Sequence, residues 1–144
     1  MYKQLSLVLV VLIAGIFTFN LSESKNQACF EKNCFDIKIA DNGEERQSGL
    51  MEVSSLDSNK GMLFIFPEES IHPFWMKNML IPLDIIWIDG NYEVVFIAKN
   101  QQPCAEIETC TSIIPESEAK YVLEINSWLV DELEIKIGDK IYLS

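Results

Sequence analysis

Histidine is nearly missing from this chain: His72 is the only one in 144 residues. A cysteine–histidine metal site therefore has little to draw on. The four cysteines, Cys29, Cys34, Cys104 and Cys110, are separated within each pair by four and five residues, so no CxxC knuckle is present. Positive charge is scarce as well, with 11 Lys and Arg against 22 Asp and Glu. That balance repels nucleic acid phosphates and anionic lipid heads, so no nucleic acid partner is expected. No glycine-rich phosphate loop, internal repeat or interdomain linker occurs. The longest apolar run, LSLVLVVLIAGIFTF at 5–19, has 15 residues, short of the roughly 20 that cross a bilayer comfortably.

That run follows MYKQ and precedes the polar NLSESKNQ, the layout of a signal peptide. Residues 1–28 are expected to be a signal peptide or an uncleaved N-terminal membrane anchor, and 29–144 a single globular domain. A buried helix of the domain is the plainer alternative and is disfavoured. Lipid attachment at Cys29 is also disfavoured, because Asn26-Gln27-Ala28 lacks the apolar and small residues such a site needs. The body carries a net charge of about −12, which favours solubility. Export to the periplasm or extracellular space is expected, with membrane contact only through residues 5–19 if they are retained. An even cysteine count in an exported chain favours two disulfides, and the local pairing Cys29–Cys34 with Cys104–Cys110 is the simplest of three. The acidic residues Glu106, Glu108, Glu116 and Glu118 do not have the spacing of a calcium loop, and no cofactor is implied.

Periodicity predicts short strands at FDIKIA (35–40), GMLFIF (61–66, stopped by Pro67), FWMK (74–77), IPLDIIWI (81–88), YEVVFIAKN (92–100) and AKYVLEI (119–125), and two around Gly138-Asp139. Asp89-Gly90-Asn91 marks a hairpin. Helices of one or two turns are predicted at EERQSGLM, capped by Asp41 or Asn42, and at SWLVDEL, capped by Asn126 or Ser127. Residues 100–118 have no clean period. No βαβ repeat is evident. The fold class expected is mainly β: an antiparallel jelly-roll-like sandwich or partly closed barrel with one or two short edge helices.

The stretch FWMKNMLIPLDIIWIDG (74–90) raises the functional question. Asp84 shares a strand face with Ile86 and Ile88, and a buried carboxylate is costly unless hydrogen-bonded. Lys77, or backbone N–H groups at the MLIP bend, are its nearest prospective partners. An internal polar clamp is the leading reading. A ligand site using Trp75, Lys77, Asn78 and Asp84 is second, and acid–base chemistry third, since no second poised titratable group is evident. Asp89 reads as a turn former. His72 reads as an ordinary loop residue, because no positioned nucleophile accompanies it. The aromatic residues Phe64, Phe66, Phe74, Trp75, Trp87 and Trp128 read most simply as core, with one or two available to line a pocket.

Taken in order, IADNGEERQSGLM, GMLFIFPE, FWMKNMLIPLDIIWID, the cysteine loop, YVLEIN and IKIGDKI resemble the domain-of-unknown-function 192 family over about residues 34–142. The resemblance implies a compact, mainly β domain of jelly-roll or sandwich type and no known reaction, substrate or cofactor. Trp75, Lys77, Asn78, Pro82 and Asp84 fall on the family's most characteristic segment, and Gly49, Gly61, Gly138 and Asp139 on its turns. Met79 departs from the family pattern, which often has a small hydroxyl residue there. Cys29 and Cys34 lie outside the usual marks. The expected function is a non-enzymatic exported domain that binds a small-molecule ligand or an envelope protein partner. The alternative is a small envelope enzyme using Asp84 and Lys77 in a shallow pocket.

Overall fold

Seven strands form one sheet in the order β5-β4-β6-β3-β2-β1-β7. They are β1 (Gln27–Phe30), β2 (Asn33–Ala40), β3 (Lys60–Ser70), β4 (Leu83–Ile88), β5 (Val94–Gln101), β6 (Ala119–Asn126) and β7 (Tyr142–Leu143), with helices α1 (Gly43–Ser48) and α2 (Leu129–Glu132). The computed structural model describes residues 26–104 and 110–144. The apolar run at 5–19 and the middle of the cysteine loop, with Glu106 and Glu108, lie outside the described residues. Among the described residues, no helix is long and apolar enough to cross a membrane.

The sheet curls. Its edge strands β5 and β7 approach at one end, where Glu93 bridges Lys140 and the Val94 N–H donates to Asp139 O at 2.9 Å. The architecture is therefore the partly closed barrel, a curled half-barrel with two short helices. Mainly β is right, but the pairing is not wholly antiparallel: β2 and β3 run parallel, joined across residues 41–59 through α1. That small crossover is invisible as a repeat because it occurs once.

The two sheet faces carry separate cores. Ile37, Leu63, Ile86, Ile88, Leu123 and Ile125 pack on one face under α2 and the 135–141 segment. Met62, Phe64, Ile85, Trp87 and Val122 pack on the other, covered by Leu50, Met76 and Met79. Strands β3, β4 and β6 are thus buried on both faces, which explains apolar runs such as MLFIF and IIWI.

Local chemistry accounts for most element ends. Asn42 caps α1 by accepting from the Glu45 N–H at 3.0 Å, and Gly49 ends the helix at φ 48°. Asp89 forms the β4–β5 turn, its Oδ1 accepting from the N–H groups of Asn91 and Glu93, both at 2.9 Å. Several expectations need correction. Strand β3 continues through Pro67, because the β3–β6 register shifts between Ile65 and Ser70 and spares Pro67 a ladder donor. FWMK makes only single bridges, Phe74 to Ile113 and Lys77 to Cys104. The 135–141 segment is a turn rather than a strand pair, and only Tyr142–Leu143 is ladder. An unexpected strand, β1, pairs with β2 and puts Cys29 opposite Cys34. The cysteines pair as the local scheme requires, Cys29 with Cys34 and Cys104 with Cys110.

Candidate functional site

Asp84 is fully buried on β4, 0% exposed. Its Oδ1 accepts from the Asn100 N–H at 2.7 Å and its Oδ2 from the Val130 N–H at 2.8 Å. The second bond makes Asp84 the cap of α2. Neither Asn126 nor Ser127 caps that helix: Trp128 stands at the N-cap in the left-handed region, φ 73°, with no side-chain cap bond of its own. Asn126 instead donates through Nδ2 to Leu56 O. The polar-clamp reading of Asp84 is correct in kind but not in partners. The donors come from β5 and α2, not from Lys77 or the MLIP bend.

Lys77 places its Nζ 5.0 Å from the centre of the Trp75 ring, a cation–π contact. Trp75 is 42% exposed. Asn78, just past the predicted FWMK strand, has φ 57° and turns the chain out of the extended conformation. Its carbonyl accepts from the Glu52 N–H at 2.9 Å and its Nδ2 reaches Met51 Sδ at 4.0 Å, fastening the 74–79 segment to the chain after α1. The cysteine loop fastens the other side. Phe74 and Ile113 exchange backbone hydrogen bonds, and the Cys104 N–H donates to Met76 O at 3.0 Å. His72 stacks on Phe66 at 3.6 Å, with Nε2 3.2 Å from Glu68 O. The fold thus brings Trp75, Lys77 and Asn78 together and puts Asp84 in a different polar arrangement.

A second buried carboxylate stands where the sequence signals no site. Glu124, 4% exposed on β6, lies between Met62 of β3 and Ile85 of β4. Its Oε2 has no hydrogen-bond partner among the described residues. Burial, with no compensating donor, pushes its carboxyl up to about 8. The carboxyl borders a pocket walled by Phe64, Phe74 and Met79 and rimmed by α1 and Trp75. The pocket holds about 30 Å³, room for one small head group or a pair of waters at about 10–15 Å³ each. Arg46 also lines it, but its Nη1 donates to Ile65 O at 2.8 Å and its guanidinium lies 5.4 Å from the centre of the Phe66 ring. Gly49 keeps the mouth open. Its φ of 48° suits glycine, and a Cβ there would come within 3.1 Å of Phe64 Cζ and 3.9 Å of Glu124 Oε2.

Of the four ligand-binding candidates Trp75, Lys77, Asn78 and Asp84, only Trp75 lines this pocket, together with Phe64 and Phe74 from the aromatic set. Glu124 escapes sequence reasoning because AKYVLEI reads as a half-exposed strand. The available signal is a single acid inside VLEI, a strand that becomes central only once β3 and β4 flank it. Among the described residues, no cluster of three or more His, Cys, Asp or Glu side chains is arranged to hold a metal ion.

Comparison with known proteins places this geometry in a family. Residues 25–143 match the DUF192 family, described as Uncharacterized ACR. A UPF0127 protein of Thermococcus sibiricus is 34% identical over 110 residues, covering 73% of this chain and 64% of the relative. A second UPF0127 protein, from Thermococcus kodakarensis, is 30% identical over 129 residues, covering 84% and 70%. The chain therefore spans just under two thirds of the first relative's length. The crystal structure of a protein of unknown function from Novosphingobium aromaticivorans superposes with a TM-score of 0.73 at 32% identity, covering 82% of this chain and 83% of that one. The chain belongs to the DUF192 family, whose members of this kind carry the UPF0127 name and have no established function.

Proposed function

We propose that this protein is an exported ligand-binding domain of the cell envelope, released or held at the membrane by residues 5–19, and that its site is the pocket at Glu124. One observation carries the site: a buried carboxyl oxygen without a partner faces a pocket of aromatic and thioether walls. An unsatisfied buried oxygen costs about 1–3 kcal/mol, and a ligand that donates to it recovers that cost on binding. The compartment rests on the signal-like segment and on both cysteine pairs lying at bonding distance.

The enzyme alternative built on Asp84 and Lys77 draws less support. Both Asp84 oxygens are taken up by backbone donors, and Lys77 stands over Trp75. A thermal-shift screen of the oxidised protein against sugars, nucleotides, amino acids, amines and envelope fragments tests the proposal. A compound class that raises the melting temperature of wild type but not of a folded Glu124→Gln supports it by mass action. A shift preserved in Glu124→Gln and lost in Lys77→Met refutes the Glu124 site.

A further inference from the structure

Resting on that reading, we infer that the pocket takes a small alkylammonium head, which enters as a cation and displaces the proton of Glu124. Three features of the wall select for it. Phe64 and Phe74 meet edge to face at 4.9 Å, and Trp75 stands at the rim, so the pocket presents aromatic surface of the kind that attracts cations. Met51 and Met79 add polarizable thioethers rather than hydrogen-bond donors. The acceptor beside Gly49, Glu124 Oε2, is the only buried side-chain oxygen or nitrogen without a partner among the described residues. An anion would have to sit against that carboxyl, and Arg46, the one cation lining the pocket, is turned to Ile65 O and the Phe66 ring.

The charged surroundings permit this exchange. From α1, Arg46 faces the pocket but is held by Ile65 O and the Phe66 ring. From β3 and β4 the neighbours across the ladder are Met62 and Ile85, which are neutral. From the 74–79 segment, Lys77 is the one charged side chain, and it stands over Trp75. On β6 itself Lys120 donates to Pro67 O at 2.7 Å. No second carboxylate lines the pocket, so one cation in and one proton out keeps the charge balanced. The domain's excess of acidic residues adds an attractive field at longer range.

The test is calorimetric titration of the full-length oxidised protein with methylammonium and ethylammonium, against methanol, acetamide and acetate as size-matched probes. Each titration is run in two buffers of different ionisation enthalpy. The expected result is binding of the ammonium probes alone, with close to one proton released per ligand at pH 6–7. As pH rises, affinity should increase about tenfold per unit up to pH 8 and level off above it, where Glu124 is already ionised. Glu124→Gln, shown to be folded by its melting curve, should lose both the binding and the proton release.

Binding of methanol or acetamide that depends on Glu124 would overturn the ammonium assignment while leaving the Glu124 site standing. Ammonium binding without proton release, or unchanged in Glu124→Gln, would also overturn it. Absence of binding by every probe would mean that water alone fills the space, and both the site and its ligand class would fall together.

Discussion

Asp84 and Glu124 are buried carboxylates on neighbouring central strands, one on each face of the same sheet. Asp84 lies opposite Ile125 in the β4–β6 ladder, and Glu124 lies opposite Ile85 one step along it. Both are withdrawn from water, and the difference lies in the donors. Asp84 receives one N–H from β5 and one from the first turn of α2, so its charge ties three elements together. Glu124 receives none at Oε2 and faces a pocket instead. A buried acid that is fully hydrogen-bonded serves the fold, whereas one left without a donor is available to something that arrives later.

Removing the satisfied acid is the hardest way to break this contrast. Asp84→Ala strands one buried and one partly buried N–H group, at up to about 1–3 kcal/mol each, and opens space in the core. We expect a loss of about 3–5 kcal/mol in urea melts. Glu124→Gln should change stability by no more than about 1 kcal/mol at about pH 4, where the carboxyl is neutral in the folded chain and mostly neutral in the unfolded one. Equal losses in the two variants would mean that the Glu124 carboxyl has a hidden structural partner.

Gly61, opposite Ile125 in the β3–β6 ladder, lies beside Glu124. A Cβ there would stand 2.7 Å from Glu124 O and 3.0 Å from Ile125 Cγ2. Since the obstacle is backbone, β3 would have to move away from β6, and Gly61→Ala should cost about 2 kcal/mol, within the usual range for overpacking. The same variant should weaken any ligand that depends on Glu124, because it shifts β3, which carries the pocket wall Phe64, away from β6, which carries Glu124. A ligand bound as tightly by Gly61→Ala as by wild type would separate the pocket from the β3–β6 spacing.

The two acids should also separate by pH. Glu124 titrates near the usual carboxylate value when unfolded but at about 8 when folded. Between roughly pH 5 and 8 the unfolded chain therefore holds fewer protons than the native one, and stability falls as pH rises. The slope attributable to Glu124 is at most about 1.4 kcal/mol per pH unit. It should appear as the difference between wild type and Glu124→Gln, with Glu124→Gln gaining on wild type throughout roughly pH 5–8 and the difference levelling off above pH 8. Parallel pH profiles for the two proteins would show that Glu124 is ionised in the native state.

These contrasts also show which features local sequence can reveal. The β4–β5 hairpin is legible because IIWI, Asp89-Gly90-Asn91 and the returning apolar run sit next to one another in the chain. The α1 cap is legible for the same reason: Asn42 and Glu45 are three residues apart. Asp84 stands out because an acid among isoleucines is conspicuous, yet its donors, Asn100 and Val130, lie 16 and 46 residues away. The α2 cap is misread from sequence on the same account, since its carboxylate comes from β4. Glu124 is silent because AKYVLEI alternates like any half-exposed strand, and its polar face is buried only when residues distant in the chain, among them Leu50, Met76 and Met79, pack over that side of the sheet. Likewise, nothing local announces that β2 and β3 run parallel.

The smallest effect belongs to the pair that the linear sequence suggests. Lys77 and Asp84 are seven residues apart across a bend, and an ion pair between them would couple strongly at a buried carboxylate. The fold gives each its own partners, the Trp75 ring for Lys77 and two backbone donors for Asp84. Lys77→Met should therefore change stability by less than about 0.5 kcal/mol, as for other partly exposed side chains without an ion pair. In a double-mutant cycle with Asp84→Asn the coupling should be within about 0.5 kcal/mol of zero. A coupling above about 1.5 kcal/mol would restore the Lys77–Asp84 pair and move the candidate site back to the 74–84 segment. Near-additivity would leave Asp84 to the architecture and Glu124 as the acid with chemistry to spare.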